Sequence, residues 1–190
     1  MKFYKQTVRD VPIENKTVLV RADYNVPLAK NGKITDDLRV QASLPTIKYL
    51  VKKGCRVIII SHLGRPEGPK DTQFSLEPVA SHLAYLLGSP VHFVPETFGD
   101  RVKQAVKKLP PRGVMVLENL RFHKQEEAND HDFAQRIVKS TGAQYFVQDG
   151  FGVVHRAHAS TDALTELLPS VAGLLLEKEY TTISDSINDP

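Results

Sequence analysis

The sequence predicts an α/β protein with three layers, in which a parallel sheet is covered by helices on both faces. Three observations lead to this prediction. Short runs rich in β-branched residues recur along the chain, as in strands that are buried on both faces. Segments with helical periodicity separate these runs, so strands and helices alternate. The 190 residues, 41% of them apolar, are enough to bury one core. We therefore predict a single, doubly wound, Rossmann-like domain.

Five segments have the composition of buried strands. The clearest is the second, where four consecutive β-branched residues run from Val57 to Ile60. Each run is short and has polar or turn-forming residues nearby, which is typical of strands rather than helices. The predicted strands cover residues 18–20, 57–60, 91–94, 114–117 and 145–147.

Helical patterns fill the intervals between the strands. The first helix begins near Asp36 and Asp37, whose carboxylates suit a helix N-terminus, and it ends at Gly54. Further helices are predicted from Ser75 and Glu77 to Gly88, over 100–109, over 130–141 and over 177–187. We assign the apolar side of the first helix to Leu38, Leu44, Ile47 and Val51. Asn31 and Gly32 predict a tight turn between Leu28 and Ile34.

Composition excludes several classes of protein. The net charge of +3 is too small to indicate nucleic acid or membrane by itself, and few aromatic residues accompany the basic ones. No apolar run approaches the length of a membrane span, and the N-terminus lacks the pattern of a signal peptide. The single cysteine, Cys55, excludes an internal disulfide and suits a reducing compartment. We expect a cytoplasmic protein that contacts neither nucleic acid nor membrane.

Polar side chains follow four of the predicted strands. Because the carboxyl ends of parallel strands meet at one edge of a sheet, residues remote in sequence are expected to converge there. Arginine forms paired hydrogen bonds with carboxylates and phosphates, and the nearby glycines permit close approach of a ligand. The residues that we expect at this edge are Asp23, Asn25, Arg39, His62, Arg65, Arg121 and Arg156. They predict a site for a small, doubly anionic, hydroxylated ligand.

Other interpretations of these residues carry less weight. A single arginine in a loop is usually solvated or paired locally, and Arg121 could pair with Glu118, Glu126 or Glu127. Four arginines at one sheet edge favour an anion site instead. His155 and His158 have weak spacing for a metal, so we predict no metal site. The chain contains neither a GxGxxG nor a P-loop motif, and therefore no standard nucleotide site.

Long motifs in this order resemble the phosphoglycerate kinase family. They are VLVRADYNVPL, ITDDLRVQASLPTIKYL, ISHLGRP, LENLRFHKQEE and DGFGVVHRAHAST, and they span residues 18–161. The resemblance implies a kinase that transfers a phosphoryl group reversibly between ATP and the carboxylate of 3-phosphoglycerate, giving 1,3-bisphosphoglycerate. It also implies a glycolytic, monomeric enzyme.

The resemblance also implies a role for each residue at the sheet edge. Arg65, Arg121 and Arg156 would hold the 3-phosphate, and His62 would lie near the carboxylate end. Asp23 and Asn25 would bind the hydroxyl side. Arg39 would face the reacting carboxylate as the catalytic residue. Since a carboxylate is already a nucleophile, no general base is expected.

Two departures from the family pattern stand out. The usual NDAFG is replaced by Gln148-Asp149-Gly150-Phe151-Gly152, which alters the loop leading to Arg156. The family also has a second domain, which binds Mg-ATP or Mg-ADP. We assign residues 1–172 to the substrate-binding domain and residues 173–190 to the interdomain helix and the start of the connection to a C-terminal nucleotide domain. No cofactor is expected in this chain.

Three hypotheses follow for the isolated chain. It is an excised or naturally truncated substrate half of the kinase, inactive without its C-terminal domain. Alternatively, it is a free-standing anion-binding or regulatory module that uses the same patch. A third hypothesis, a basic nucleic-acid binder, predicts a steep salt dependence and no preference for small phosphates.

Overall fold

The computed structural model describes residues 3–29 and 32–188, and these form a parallel α/β fold. Within those residues, six strands form one sheet. In chain order, β1 to β6 are Thr17–Arg21, Arg56–Ile60, Val91–Val94, Val114–Leu117, Tyr145–Gln148 and Ser170–Ala172. The α-helices α1 to α7 are Leu38–Lys52, Glu77–Leu87, Asp100–Lys108, Lys124–Glu127, His131–Thr141, Ala163–Leu167 and Leu174–Asn188.

The sheet order is β3-β4-β2-β1-β5-β6, and all neighbouring strands are parallel. From β1 the chain moves to β2 on one side and later returns to β5 on the other. The carboxyl ends of β1, β2 and β5 therefore lie together at the middle of the sheet, where open α/β sheets have their ligand crevice. The predicted doubly wound parallel sheet is confirmed.

Alternation along the central strands divides the core between the two faces. Val57 and Ile59 belong to the cluster that includes Ile47 of α1, whereas Ile58 and Ile60 belong to the cluster that includes Phe133 of α5. Because both faces are covered, every residue from Val57 to Ile60 is fully buried. This explains why β2 is a continuous apolar run.

Capping residues set several helix ends as predicted. Asp130 caps α5 by accepting from the Phe133 amide at 2.6 Å, and Gly142 ends the helix in the left-handed conformation. Gly88 ends α2 in the same way. The tight turn near Gly32 is present as an antiparallel bridge between Leu28 and Ile34, while Asn31 lies outside the described residues.

Three expectations were wrong or incomplete. Leu38 was assigned to the apolar side of the first helix, but its exposed fraction is 67%, because it lies in the first turn, at the rim of a groove. The last helix begins at Leu174, which agrees with the assignment of residues 173–190 to the interdomain helix but precedes the start at residue 177. The edge strand β6 and the short helices α4 and α6 were not predicted, since segments of three to five residues are too short for periodicity to show.

Helix α7 is anchored to the domain at its first turn. The Leu174 amide donates to the Thr46 hydroxyl at 2.9 Å, and the Leu175 amide donates to Oδ1 of Asp149 at 3.0 Å. Further along, Ile183 and Ile187 are 45% and 73% exposed. The later turns of α7 therefore leave apolar side chains uncovered. None of the helices within the described part of the chain is long and apolar enough to cross a membrane.

Candidate anion-binding site

The loops that follow β1 and β2 are joined by hydrogen bonds at the crevice. The Tyr24 amide donates to the Ser61 hydroxyl at 2.8 Å, and the Gly64 amide donates to Oδ1 of Asn25 at 2.8 Å. The side-chain carbonyl oxygen of Asn25 is thus engaged by the opposite loop. Its Nδ2 amide remains available for contact with a ligand. The two loops form one rigid wall.

Gly64 is required by the close packing of this wall. Its φ is +61°, and a Cβ at that position would lie 2.4 Å from the Phe74 ring. Only glycine meets both conditions without strain. The loop can therefore bring its backbone close to Arg121, whose Nη1 donates to the Gly64 carbonyl at 2.8 Å.

His62 lies at the bottom of the crevice, where it is 3% exposed. Burial of the imidazole lowers the pKa of His62 to about 2, and the charges of Arg21 and Arg121 act in the same direction. Arg156 and Arg39 add smaller effects of the same sign. The ring is therefore neutral at physiological pH, and it contributes a hydrogen-bonding group rather than a charge.

Arg121 is held more firmly than a loop arginine usually is. Its side chain is only 7% exposed, and Nη2 lies 3.3 Å from Oε1 of Glu127. Of the three acidic partners considered from the sequence, Glu127 is the one it contacts. Burial is the main cause that lowers the pKa of Arg121, and the charges of Arg156 and Arg65 also lower it. Those two arginines therefore lie within electrostatic reach of Arg121.

Arg39 lies across the crevice, in the first turn of α1. Its guanidinium forms an ion pair with Oδ2 of Asp23, and its side chain is 51% exposed. Gly152 makes room for this pair, because a Cβ there would lie 2.8 Å from Asp23 Oδ2. Asp23 is thus engaged by Arg39 in the absence of ligand, and a hydroxyl would have to share it.

Arg65 and Arg156 lie at the open side of the crevice and, with Arg39, His62 and Arg121, form a basic patch. Arg65 is exposed, and Arg156 is half-buried in the loop that follows β5. The structure therefore brings all seven predicted residues to the same sheet edge, although their roles stay predictions. A cavity of about 310 Å³ opens beside Asp23 and Arg39 and extends to Leu175 and Glu179 of α7.

Sequence reasoning missed a buried polar chain beneath the patch. Arg21, at the end of β1, is 1% exposed and contacts Nδ1 of His62 and the Ser160 hydroxyl. Ser160 in turn donates to Glu126, which is fully buried. One signal was available: Arg21 is two residues after Leu19 and therefore on the same covered face of the strand.

The altered loop residues 148–150 occupy the junction between β5 and α7. Gln148 accepts from the Gly150 amide at 3.2 Å, and Asp149 is fully buried. Burial raises the pKa of Asp149 to about 7, while bonds from Thr46, Leu175 and Leu176 oppose the rise. Within the described residues, no three His, Cys, Asp or Glu side chains gather to hold a metal ion.

This arrangement defines a class: parallel α/β domains with a candidate site for small anions at the carboxyl edge of the sheet. Comparisons with known proteins narrow that class. A family model described as phosphoglycerate kinase matches residues 8–190. The chain belongs to the phosphoglycerate kinase family and corresponds to its N-terminal domain.

Individual relatives agree with this assignment. The chain is 46% identical over 186 residues to phosphoglycerate kinase from Pseudothermotoga lettingae, covering 98% of the chain and 46% of that protein. For the enzyme from Moorella thermoacetica, the identity is 48% over 186 residues, covering 98% of the chain and 47% of that protein. The chain thus spans about half the length of these relatives.

Solved structures give the same result. Phosphoglycerate kinase from Pyrococcus horikoshii OT3 superposes with a TM-score of 0.85 at 32% identity, covering 95% of this chain and 45% of that one. The protein from Coxiella burnetii gives a TM-score of 0.84 at 36% identity, covering 98% and 46%. The alternative of a free-standing anion-binding module is not favoured by these matches.

Proposed function

We propose that this chain supplies the 3-phosphoglycerate-binding half of a glycolytic, cytoplasmic kinase. The complete protein transfers a phosphoryl group reversibly between ATP and the substrate carboxylate, giving 1,3-bisphosphoglycerate. One observation carries the proposal: four arginines and a neutral histidine converge at one sheet edge in a member of the phosphoglycerate kinase family. Mg-ATP or Mg-ADP is assigned to the half of the protein that this chain does not cover.

The ligand's two ends call for different partners. Arg65, Arg121 and Arg156 provide the guanidinium groups for the 3-phosphate, because planar forks match phosphate oxygens. His62 provides an uncharged partner for the carboxylate end. Asp23 and Asn25 bind the hydroxyl, with Asp23 shared between the ligand and Arg39.

Arg39 acts as the catalytic residue because phosphoryl transfer requires mainly positioning and cationic charge near the transferring group. Its half-exposed guanidinium can turn from Asp23 toward the reacting carboxylate. In the complete protein, Arg39→Ala should lower kcat by roughly a thousandfold or more, on the scale of arginine fingers. An unchanged kcat would exclude this role.

Residues 1–172 then form the substrate domain, and residues 173–190 form the interdomain helix and the start of the connection. The chain alone is expected to bind the acid without transferring phosphate, because closure of two domains excludes water from the reaction. We expect the complete enzyme to be monomeric.

A titration of 3-phosphoglycerate into the chain, followed by amide NMR shifts, tests the binding proposal. Shifts should be confined to the loops carrying Arg39, Arg65 and Arg121 and should exceed those caused by sulfate or 2-phosphoglycolate. Arg65→Ala should weaken binding by roughly tenfold or more, since a charged hydrogen bond to phosphate is lost.

Lys108→Ala, a change at the exposed C-terminal end of α3, is the matched loss of one positive charge remote from the patch. It should leave binding unchanged. Equal shifts with sulfate would reduce the patch to a general anion site, and no shift with any anion would contradict the proposal.

A further inference from the structure

The contact between Arg21 and His62 determines where the imidazole carries its proton. Nη2 of Arg21 lies 3.1 Å from Nδ1 of His62, and both side chains are buried. A guanidinium has N–H donors only and does not accept hydrogen bonds. Nδ1 must therefore be the acceptor, and in a neutral ring the proton resides on Nε2.

The other ring nitrogen is available to a ligand. Among the described residues, the fully buried side-chain polar atoms without a partner are Nε2 of Gln148 and Oδ2 of Asp149. His62 Nε2 is not one of them and contacts no described hydrogen-bond partner, so it retains contact with solvent at the crevice. We propose that Arg21 is a positioning residue that locks His62 in the Nε2–H tautomer, so that the site presents a fixed, uncharged N–H donor to the anion.

Arg21 is itself held so that it cannot turn away. Its Nε donates to the Ser160 hydroxyl at 2.7 Å, and Nη1 donates to the Ala22 carbonyl. Since Ser160 accepts from Arg21, its single hydroxyl proton goes to Oε1 of Glu126. The Ser160 amide also donates to Oε2 of Glu126, at 3.1 Å. Glu126 thus balances the buried positive charge through Ser160.

The charges around His62 reinforce the lock. Arg21 on β1, Arg39 on α1 and Arg121 after β4 all disfavour a protonated ring, as does Arg156 after β5. The donor at Nε2 therefore stays the same across the physiological pH range. A neutral donor suits an acceptor of low charge, whereas the arginines suit a phosphate. The inference that His62 receives the carboxylate end rests on the proposed function.

Long-range ¹H–¹⁵N spectra of the imidazole rings test the lock directly in the unmodified chain. His62 should show the Nε2–H pattern at every pH from roughly 5 to 8. The exposed ring of His155 serves as the internal reference for a histidine open to solvent. An Nδ1–H pattern, an average of both tautomers, or a cationic His62 ring at the lower pH would overturn the proposal.

Variants of Arg21 distinguish control of the His62 tautomer from a purely structural role of Arg21. Arg21→Met should produce an averaged tautomer pattern at His62 and weaken 3-phosphoglycerate binding by roughly tenfold, the loss expected for one hydrogen bond. Arg21→Lys should restore the Nε2–H pattern, because an ammonium also only donates. Arg65→Met, a change at an exposed arginine of the same patch, should leave the tautomer unaltered.

If Arg21→Met does not fold, the wild-type spectrum and Arg21→Lys still decide the question. A Nδ1–H or averaged pattern in folded Arg21→Lys would contradict the lock. Addition of 3-phosphoglycerate should shift the His62 Nε2–H resonance. If the tautomer is Nε2–H but no ligand shifts it, the lock stands and the proposed function fails.

Discussion

The basic patch has two halves that are built differently. The deep half consists of His62 and Arg121, together with Arg21 beneath them. Arg21 and His62 are buried, the side chain of Arg121 is 7% exposed, and all three are bonded to backbone or to one another. The open half consists of Arg39, Arg65 and Arg156, which are exposed or half-buried. The deep half is ordered before any ligand arrives, so binding there costs little conformational entropy. The open half retains freedom to adjust to the ligand or to a second domain.

The largest expected difference between the halves is in stability. Arg21→Met should lower the free energy of unfolding by about 3–5 kcal/mol, because it leaves Glu126 buried without its counter-charge. Arg65→Met should change it by no more than about 0.5 kcal/mol, as is usual at exposed positions. Urea denaturation of both variants measures the contrast. Equal effects would abolish the distinction between a deep and an open half.

The second prediction concerns the base of the loop that carries Arg156. Burial raises the pKa of Asp149 from 3.8 to about 7. Between these values the folded state binds more protons than the unfolded state, so the contribution of this carboxyl to stability falls as pH rises and is flat above the folded pKa. Relative to Asp149→Asn, the free energy of unfolding of the wild type should therefore fall by about 2–4 kcal/mol as the pH rises from about 4 to about 8.

Asparagine is the matched replacement because its Oδ1 can still accept from the Leu175 amide. Denaturation of both proteins across this pH range gives the difference, in which the titrations of other groups cancel. A difference that does not change with pH would show that Asp149 is not titrating in this window.

The contribution of His62, in the deep half, to stability should change with pH in the opposite direction to that of Asp149. Burial and the arginines lower the pKa of His62 from 6.5 to about 2, so the unfolded state binds the extra proton. The contribution of His62 is present above pH 6.5 and is lost as pH falls toward the folded value. Relative to His62→Gln, the free energy of unfolding of the wild type should fall by about 2 kcal/mol as the pH drops from 6.5 to about 5. The same denaturation series measures it, and a parallel response in both proteins would contradict the burial of a neutral His62.

The smallest expected effect on stability concerns Gly150 and Gly152, in the loop that follows β5. Gly150 has a φ of −104°, and a Cβ there would lie 3.1 Å from Cγ2 of Val153. Gly150→Ala should therefore change the free energy of unfolding by no more than about 1 kcal/mol, because the reduced entropy of the unfolded state is opposed by this tight contact. Gly152→Ala is the matched control and should destabilise the chain, because its Cβ would crowd Asp23, the ion-pair partner of Arg39. Thermal denaturation ranks the two, and the reverse order would mean that the Asp23–Arg39 pair tolerates a Cβ.

Much of the fold and the site could be predicted because the information is local. The strands before residue 150 have β-branched composition, and their helices have capping residues and a regular period. Parallel pairing then places the loops after β1, β2, β4 and β5 at one edge. This was sufficient to predict that Arg65, Arg121 and Arg156 converge. The short elements near the C-terminal end had no comparable signal.

The sequence by itself determined the alternating fold, the members of the basic patch other than Arg21, and the resemblance to the phosphoglycerate kinase family. Tertiary structure alone decided that Arg21 is buried against His62, that Asp149 holds the first turn of α7 and that Leu38 is exposed. The physical reason is distance along the chain. Periodicity arises between neighbours, whereas the partner of Arg21 at Ser160 is 139 positions away. Burial and proton position depend on such contacts, which exist only after the chain has folded.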